Sequence, residues 1–288
     1  MTAKATVLSD RSVIEVAGED RASFLQGLIT NEAEGLAEGA ACFAALLSPQ
    51  GKILFDFLVF NTGEAFLLDC VRTAAPDLMK RLGFYKLRAK VTLSDVSGRW
   101  RIAAAWGDEA GRLTSASASM SYRDPRLADL GFRAFLTESE AEGFPAGIAR
   151  YHQMRIELAV PEGGKDYAYG DTFPHDACLD LLHGVNFKKG CYVGQEVVSR
   201  MEHRGTARTR VLAVSGEQSL PEGGADILAD GFPVGRLGSV AGNRGIALGR
   251  LDRVRDALNS GQSLIAGGVP VTVSVPVWAN YTLDAAKA

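Results

Sequence analysis

The chain has 288 residues, 47% of them hydrophobic and 23% charged, with a net charge of −3 and a pI near 5.9. This is ordinary globular composition over a length that suits two or three domains. The acidic balance argues against a protein whose main task is to hold nucleic acid. No uncharged apolar run reaches membrane-spanning length and residues 1–6 carry no apolar signal core, so a cytoplasmic protein without a membrane partner is expected. Cys42, Cys70, Cys178 and Cys191 show neither a C-x-x-C pair nor zinc spacing. No disulfide framework and no metal site is expected, which fits a reducing compartment.

Residues 12–16 read as a strand through Val13, Ile14 and Val16. Asp20 then caps a helix over 21–28 with Phe24, Leu25 and Leu28 on one face, its carboxylate accepting first-turn amides. Asn31 falls in a loop, where asparagine ordinarily forms turns. Residues 42–47 form a small-residue strand and Pro49-Gln50-Gly51 a turn. The stretches 53–60 and 65–71 form a hairpin around 61–64. Asp56 interrupts the first of these strands and reads as facing solvent, or else a cleft. A helix over 73–82 takes Thr73 as cap and turns Leu78, Met79 and Leu82 inward. Strands follow at 90–96, 101–106 and 131–136. The Ser-, Ala- and Gly-rich stretch 107–130 is loop-like, with room for one short helix. This order gives helices on one face of a mainly antiparallel sheet, and the breaker-rich segment 138–145 marks a boundary.

A helix over 146–158 carries Ile148, Tyr151, Met154 and Leu158 on one side. In 161–170 glycines alternate with Tyr167 and Tyr169, whose rings either stack on a flat heterocycle or tack the loop down. Residues 177–182 read as a short helix, and the lone His175 and His183 as structural or surface residues. Val185 and Phe187 read as the end of a half-buried strand. Gly190 and Gly194 bracket a tight connection suited to close backbone approach. A helix begins at Gln195, with Val197, Val198 and Met201 at helical spacing and Gly205 as its stop. Short strands at 211–214, 225–228, 233–240, 245–250 and 269–275, with one helix over 251–258, make a small all-β barrel or sandwich. Asp230-Gly231 and Gly267-Gly268 are its hairpin turns and Trp278 its plug.

Cys191 lies between Lys188-Lys189 and the helix that starts at Gln195. Both features favour a thiolate and lower a cysteine pKa, which makes Cys191 a candidate nucleophile or soft metal ligand. A lone cysteine is also commonly a small, buried, inert hydrophobe, and the residues alone leave both readings open. The basic run of Lys188, Lys189, Arg200, His203, Arg204, Arg208 and Arg210 is either a solvated face or a cradle for an anionic ligand.

The octapeptide Lys189-Gly190-Cys191-Tyr192-Val193-Gly194-Gln195-Glu196 resembles the K-G-C-Y-x-G-Q-E signature of the YgfZ family. These are folate-binding proteins related to the aminomethyltransferase (T-protein) of the glycine cleavage system. Phe24-Leu25-Gln26-Gly27 with Thr30-Asn31, then Ser48-Pro49-Gln50-Gly51-Lys52-Ile53, then Tyr85-Lys86-Leu87-Arg88 resemble three further blocks in the expected order. The resemblance implies a multidomain α+β, aminomethyltransferase-like folate-binding fold with a C-terminal all-β barrel. Its folate-binding domain would comprise 1–47 and 146–204, a second α+β domain with a ferredoxin-like sheet 48–145, and the barrel 205–288.

The same resemblance implies a tetrahydrofolate-binding protein that assists iron–sulfur cluster assembly or repair and indirectly supports tRNA modification by iron–sulfur enzymes. Tetrahydrofolate or a derivative would sit between the domains. Cys191 would be the reactive or cluster-contacting thiolate, with Lys189 lowering its pKa. Gln195 and Glu196 would position the loop, and Tyr192 and Asn31 would join the folate contacts. Arg200 would meet a folate carboxylate through a forked hydrogen-bond pair. Asp176 stands where the family usually carries glutamate. A carboxylate there would accept two parallel hydrogen bonds from a pterin, with its reach shortened by one methylene. Because a cluster ordinarily takes four thiolates, one cysteine implies a partner among the assembly machinery or client enzymes. The competing readings are a true aminomethyltransferase, which needs no thiol at this place, and a scaffold in which folate is only structural. Direct tRNA binding is disfavoured by the overall charge and would show steep salt dependence.

Overall fold

Largely apolar strands, several of them buried on both faces, lay down two antiparallel sheets in the first half of the chain. The computed structural model describes residues 4–113, 120–205 and 207–283. In order, the elements are β1 (Ala5–Val7), β2 (Arg11–Ala17), α1 (Arg21–Gln26), β3 (Ala41–Leu47), β4 (Ile53–Asn61), β5 (Ala65–Val71), α2 (Ala75–Lys86) and β6 (Thr92–Asp95). Then come β7 (Arg101–Ala105), β8 (Ser121–Arg123), β9 (Phe132–Leu136), α3 (Glu138–Ala141) and α4 (Ile148–Glu157). One sheet runs β3-β4-β5-β2-β6 and the other β1-β7-β9-β8. The elements through α3 and the first turn of α4 belong to a unit of Met1–Tyr151 and Leu182–Gln195; a second unit holds His152–Leu181 and Glu196–Ala288.

The five-stranded sheet packs Ile14, Val16, Leu46, Val59 and Leu68 against Leu25 and Ile29 from the α1 region and Leu78 and Leu82 from α2. Each such side chain contributes about 1.5–3 kcal/mol through burial. The sheet spans the division expected at 47/48, because β3 pairs with β4 from Ala41 opposite Phe60 to Leu47 opposite Ile53. The expected β4–β5 hairpin is present, with Phe57 opposite Cys70.

Both expected caps are replaced. The Asp20 carboxylate accepts the Lys90 N–H at 2.8 Å and makes no bond to the first turn of α1. Thr73 is exposed within a 3-10 turn, Arg72–Ala74, and α2 starts from Ala74 with a proline in its first turn. Asp56 is buried at 5% exposure and does not face solvent. The stretch 107–130 contains 3-10 segments at Gly107–Leu113 and Ala128–Leu130 and the strand β8, while 114–119 lie outside the described residues.

A buried ionic network joins the two sheets of this unit. Arg133 on β9 donates through Nη1 to Asp69 on β5 at 2.5 Å and through Nε to Asp124 at 3.0 Å. Arg11 on β2 donates to the other Asp69 oxygen at 2.5 Å, and Arg126 grips Asp124 with two bonds of 2.9 and 2.7 Å. Arg126 and Arg133 both donate to the Tyr151 hydroxyl. Burial alone would raise the Asp124 carboxyl, but Arg126 and Arg133 overcome that and hold it at about 2.

The second unit continues with α5 (Gln195–Arg204), β10 (Thr209–Gly216), β11 (Asp226–Ala229), β12 (Phe232–Ala241), β13 (Arg244–Arg250), α6 (Leu251–Asn259), β14 (Leu264–Ala266) and β15 (Val269–Ser274). The strands close a barrel in the order β10-β13-β12-β11-β14-β15. Leu212, Val214, Ile227, Leu237, Ala247 and Leu264 fill it. Asp230 and Gly231 have φ of 47° and 80°, and Gly267 and Gly268 have 54° and 85°, as two-residue hairpin turns require.

Trp278 does not plug the barrel. It is half-buried against Ile156, Ala159 and Cys178, and its Nε1 donates to the Leu158 carbonyl at 2.8 Å. Residues 177–182 form turns rather than a helix, interrupted by positive φ at Cys178 (57°) and followed by another at His183 (58°). The glycine–tyrosine segment is tied down. Buried Arg155 donates to Asp166 at 2.6 Å and to the Val160 carbonyl at 3.1 Å, while Asp166 accepts the Ser239 N–H at 2.6 Å. A Cβ at Gly238 would stand 2.6 Å from Asp166 Oδ1, so only glycine admits that carboxylate. Tyr167 is buried and meets Tyr169 edge-on at 6.2 Å.

Replacing one partner of a buried pair leaves the others uncompensated. Arg133→Met is expected to lower unfolding free energy by about 3–5 kcal/mol. Urea denaturation monitored by tryptophan fluorescence measures it, and a loss below about 1 kcal/mol would show that the network contributes no more than a surface pair.

Candidate functional site

The site begins where α1 stops. A helix end leaves its last carbonyls unpaired and carries a partial negative charge. Here a buried cation meets that end and the loop behind it. Lys189 is 7% exposed, and its Nζ donates to the carbonyls of Gln26, Ile29 and Asn31 at 2.7, 2.6 and 2.8 Å. Burial pushes Lys189 down to about 8, against the opposing pull of Glu32. The Tyr192 ring centroid is 5.2 Å from the same Nζ. That ring is buried, which raises its hydroxyl to about 12.

The other side of the loop is fixed by close backbone packing. Gly194 has φ +82°, and a Cβ there would stand 2.5 Å from the Ser48 carbonyl. Val193 packs against the core of the five-stranded sheet. Three of the recognised sequence blocks, around Gln26–Asn31, Ser48–Gly51 and Lys189–Gly194, therefore meet at one place. Between the anchors, Cys191 is exposed. It lies four residues ahead of α5.

The chain entering this loop is held by two residues of the first block. Thr30 is fully buried; its hydroxyl donates to the Gly184 carbonyl at 2.5 Å and accepts the Ala45 N–H at 2.8 Å. Asn31 donates both amide hydrogens, to Phe43 O at 2.8 Å and His183 O at 2.7 Å. These bonds take the place of the strand expected at 185–187, which is absent.

The structure redistributes the expected roles. The Lys189 ammonium is committed to three carbonyls, and its charge is felt by the Cys42 thiol. Asn31 is a clamp between chain segments. Gln195 accepts the Tyr192 N–H at 3.4 Å through its side-chain oxygen. Glu196 and Arg200 pair with each other at 2.7 Å on the exposed side of α5. Asp176 is half-buried, and its Oδ2 accepts the Phe173 N–H at 3.3 Å. The basic run divides likewise: Arg210 holds Asp180 at 2.7 Å, while Lys188, His203, Arg204 and Arg208 are exposed.

His175 is buried with Nε2 3.0 Å from a Glu202 oxygen. Donor atoms of His175, Asp180 and Glu202 lie within 4.8 Å of one another, a spacing a cation could use. Arg210 already neutralises Asp180 with contacts of 2.7 and 2.8 Å to its two oxygens. No local spacing in the sequence announces it, because His175 and Glu202 are 27 residues apart.

Such a fold, with a GCVT-type α/β part followed by a six-stranded barrel, is that of the aminomethyltransferases. Residues 5–151 match the family described as the GCVT N-terminal domain, and residues 208–281 match that described as the CAF17, C-terminal beta-barrel domain. The crystal structure of the glycine cleavage system aminomethyltransferase T from Bartonella henselae aligns with a TM-score of 0.76. It covers 96% of this chain and 86% of its own at 16% identity, which establishes the fold.

Among named relatives, the human protein "Iron-sulfur cluster assembly factor IBA57, mitochondrial" is 33% identical over 300 residues, covering 94% of this chain and 84% of that one. The mouse protein of the same name is 32% identical over 304 residues, with the same coverage. The chain belongs to this IBA57 family, whose bacterial counterpart is YgfZ. No helix among the described residues is long and apolar enough to cross a membrane.

Lys189→Met would orphan three carbonyls, at a cost of about 1–3 kcal/mol for each group left buried and unsatisfied. Hydrogen exchange is expected to show residues 185–194 opening at least about tenfold more often than in wild type. The titration has a definite sign. The folded pKa of about 8 lies below the ordinary lysine value of 10.5, so between these pH values the unfolded chain binds more protons. The stability gap between wild type and Lys189→Met therefore widens as pH rises through that window. Denaturation midpoints at either end of it measure the change.

Proposed function

We propose that the chain assists iron–sulfur cluster assembly or repair, with Cys191 as the ligand it lends. The observation that carries this is an exposed thiol on a loop whose neighbours on both sides are fixed in the fold. Thiolate sulfur is a soft donor suited to iron, and a cluster ordinarily takes four such donors. Cys191 would give its proton to solvent and ligate one iron, while the remaining ligands come from a partner in the assembly machinery or from a client enzyme. The names of the relatives support the same direction.

Tetrahydrofolate belongs to the proposal through a smaller set of residues than the sequence suggested. Asn31 has spent its amide hydrogens and Tyr192 is buried beneath Lys189. Asp176 offers the carboxylate that a pterin's amino and ring nitrogens seek, and Arg200 offers a forked donor to a folate carboxylate once it leaves Glu196. We place the protein in the cytoplasm and count tRNA-modifying iron–sulfur enzymes among its clients; the relatives are named as mitochondrial.

The test compares wild type, Cys191→Ser and Asp176→Asn for tetrahydrofolate binding and for activity of an iron–sulfur enzyme in cells. Cys191→Ser is expected to bind folate as wild type does and to lose support of the enzyme. Asp176→Asn is expected to weaken folate binding about tenfold or more. Full support by Cys191→Ser would sink the thiol reading. Absence of folate binding by the wild type would remove the cofactor and leave the cysteine chemistry. Turnover of a methylene donor with tetrahydrofolate would replace the proposal by aminomethyl transfer.

A further inference from the structure

Helix α2 turns one side to the core and leaves the other exposed. Leu78 and Leu82 are fully buried, and Met79, Tyr85 and Ala89 pack partly beneath the helix and the residues after it. Facing outward are Lys80 and Phe84, one turn apart on the helix, and Leu87 and Arg88 in the residues that follow its end. Phe84 is 61% exposed and Leu87 is 89% exposed. Leu87 is also the C-cap, with φ 36° and ψ −103°, a positive-φ conformation that glycine adopts far more readily than leucine. A leucine in that region costs on the order of 1–3 kcal/mol. Its side chain recovers little of that by burial within the chain.

The surroundings are basic. Lys80, Arg81, Lys86 and Arg88 make no side-chain hydrogen bond or ion pair among the described residues. The nearest acid on the helix is Asp77, in its first turn, and Lys90 alone has a partner, Glu19 at 2.6 Å. Four uncompensated cations around two apolar side chains stand out on a chain whose net charge is −3.

We propose that this end of α2 docks an acidic protein surface, which takes Phe84 and Leu87 into an apolar slot and sets carboxylates against Lys80, Arg81, Lys86 and Arg88. Complementary charge steers encounter, and a small apolar anchor within a polar rim supplies the binding energy. A bilayer fits less well, because the main apolar face of α2 is turned inward and only two side chains are left to insert. A nucleic acid fits less well, because an aliphatic Leu87 neither stacks on bases nor reads their edges. The surface lies on a different segment from Cys191 and is independent of the cluster and folate readings.

The test uses the full chain and defined probes. One probe is a helical peptide of about 15 residues with a leucine stripe flanked by glutamates; a second has lysines in place of the glutamates. The third is a phosphatidylcholine vesicle with about 30% phosphatidylserine. Fluorescence anisotropy is expected to show saturable binding of the glutamate peptide that weakens about tenfold between about 50 and 300 mM salt. Phe84→Ser/Leu87→Ser is expected to weaken it at least about tenfold without lowering the melting temperature. Lys80→Glu/Arg88→Glu is expected to abolish the salt dependence, and this pair decides the matter should the first variant lose stability. Cys191→Ser is expected to bind as wild type. Equal binding of the lysine peptide, no saturable binding of the glutamate peptide, or indifference to both double variants would overturn the proposal. Tighter binding to the vesicle than to the peptide would overturn it in favour of a lipid surface.

Discussion

One ammonium group ties the functional loop to the fold. Lys189 reaches back 163, 160 and 158 residues to the carbonyls of Gln26, Ile29 and Asn31. Hydrogen bonds to a charged group are worth about 1.5–3 kcal/mol each, which offsets part of the cost of taking the ammonium out of water. The three acceptors belong to a helix end and the turn after it, where backbone oxygens lack partners of their own. A neutral side chain could not serve all three, and arginine's planar fork would present its donors in a different geometry. With Tyr192 beneath the cation and Gly194 against Ser48, the intervening Cys191 has no route into the interior.

The same solution recurs where connections, rather than strand pairing, must be held. In the first unit Arg133 joins residues of both sheets through Asp69, Asp124 and Tyr151. In the second, Arg155 holds the glycine–tyrosine segment through Asp166 and Ser239. Apolar burial would stabilise these places as well or better, because a buried ion pair roughly cancels its own desolvation. What a charged pair adds is direction: Arg155 and Asp166 satisfy each other in few geometries, which fixes a loop that hydrophobic contact would leave free to slide.

The parts of the fold that were legible in the sequence are those fixed by neighbours along the chain. The hairpin β4–β5, the helices α1, α2 and α5, and the glycine turns of the barrel all follow from period and turn chemistry. Strands β8 and β14 have three residues each, too few to display alternation. The misread caps show a local preference losing to a distant partner, since the Asp20 carboxylate finds the Lys90 amide instead of its own helix. The site divides in the same way. The place of Cys191 between glycines and ahead of α5 could be read from spacing. The acceptors of Lys189 and the clamp made by Asn31 could not, because a lysine beside a cysteine looks the same whether it faces the thiol or turns away.

The four cysteines give an independent route to the same residue. A soft ligand must be deprotonated, and burial opposes that. Burial raises Cys42 and Cys70 to about 12 and Cys178 to about 11. For Cys42 even the nearby charge of Lys189 does not overcome the loss of solvent. Cys178 also sits against the Tyr281 hydroxyl at 3.6 Å, on backbone with φ 57°. These three thiols are held protonated, Cys70 and Cys178 within the interior and Cys42 partly covered. Cys191 alone is exposed. The exposed thiol is therefore the one best placed for any iron or sulfur chemistry that this chain performs through cysteine, and a cluster that takes four thiolates would draw its other ligands from a second molecule.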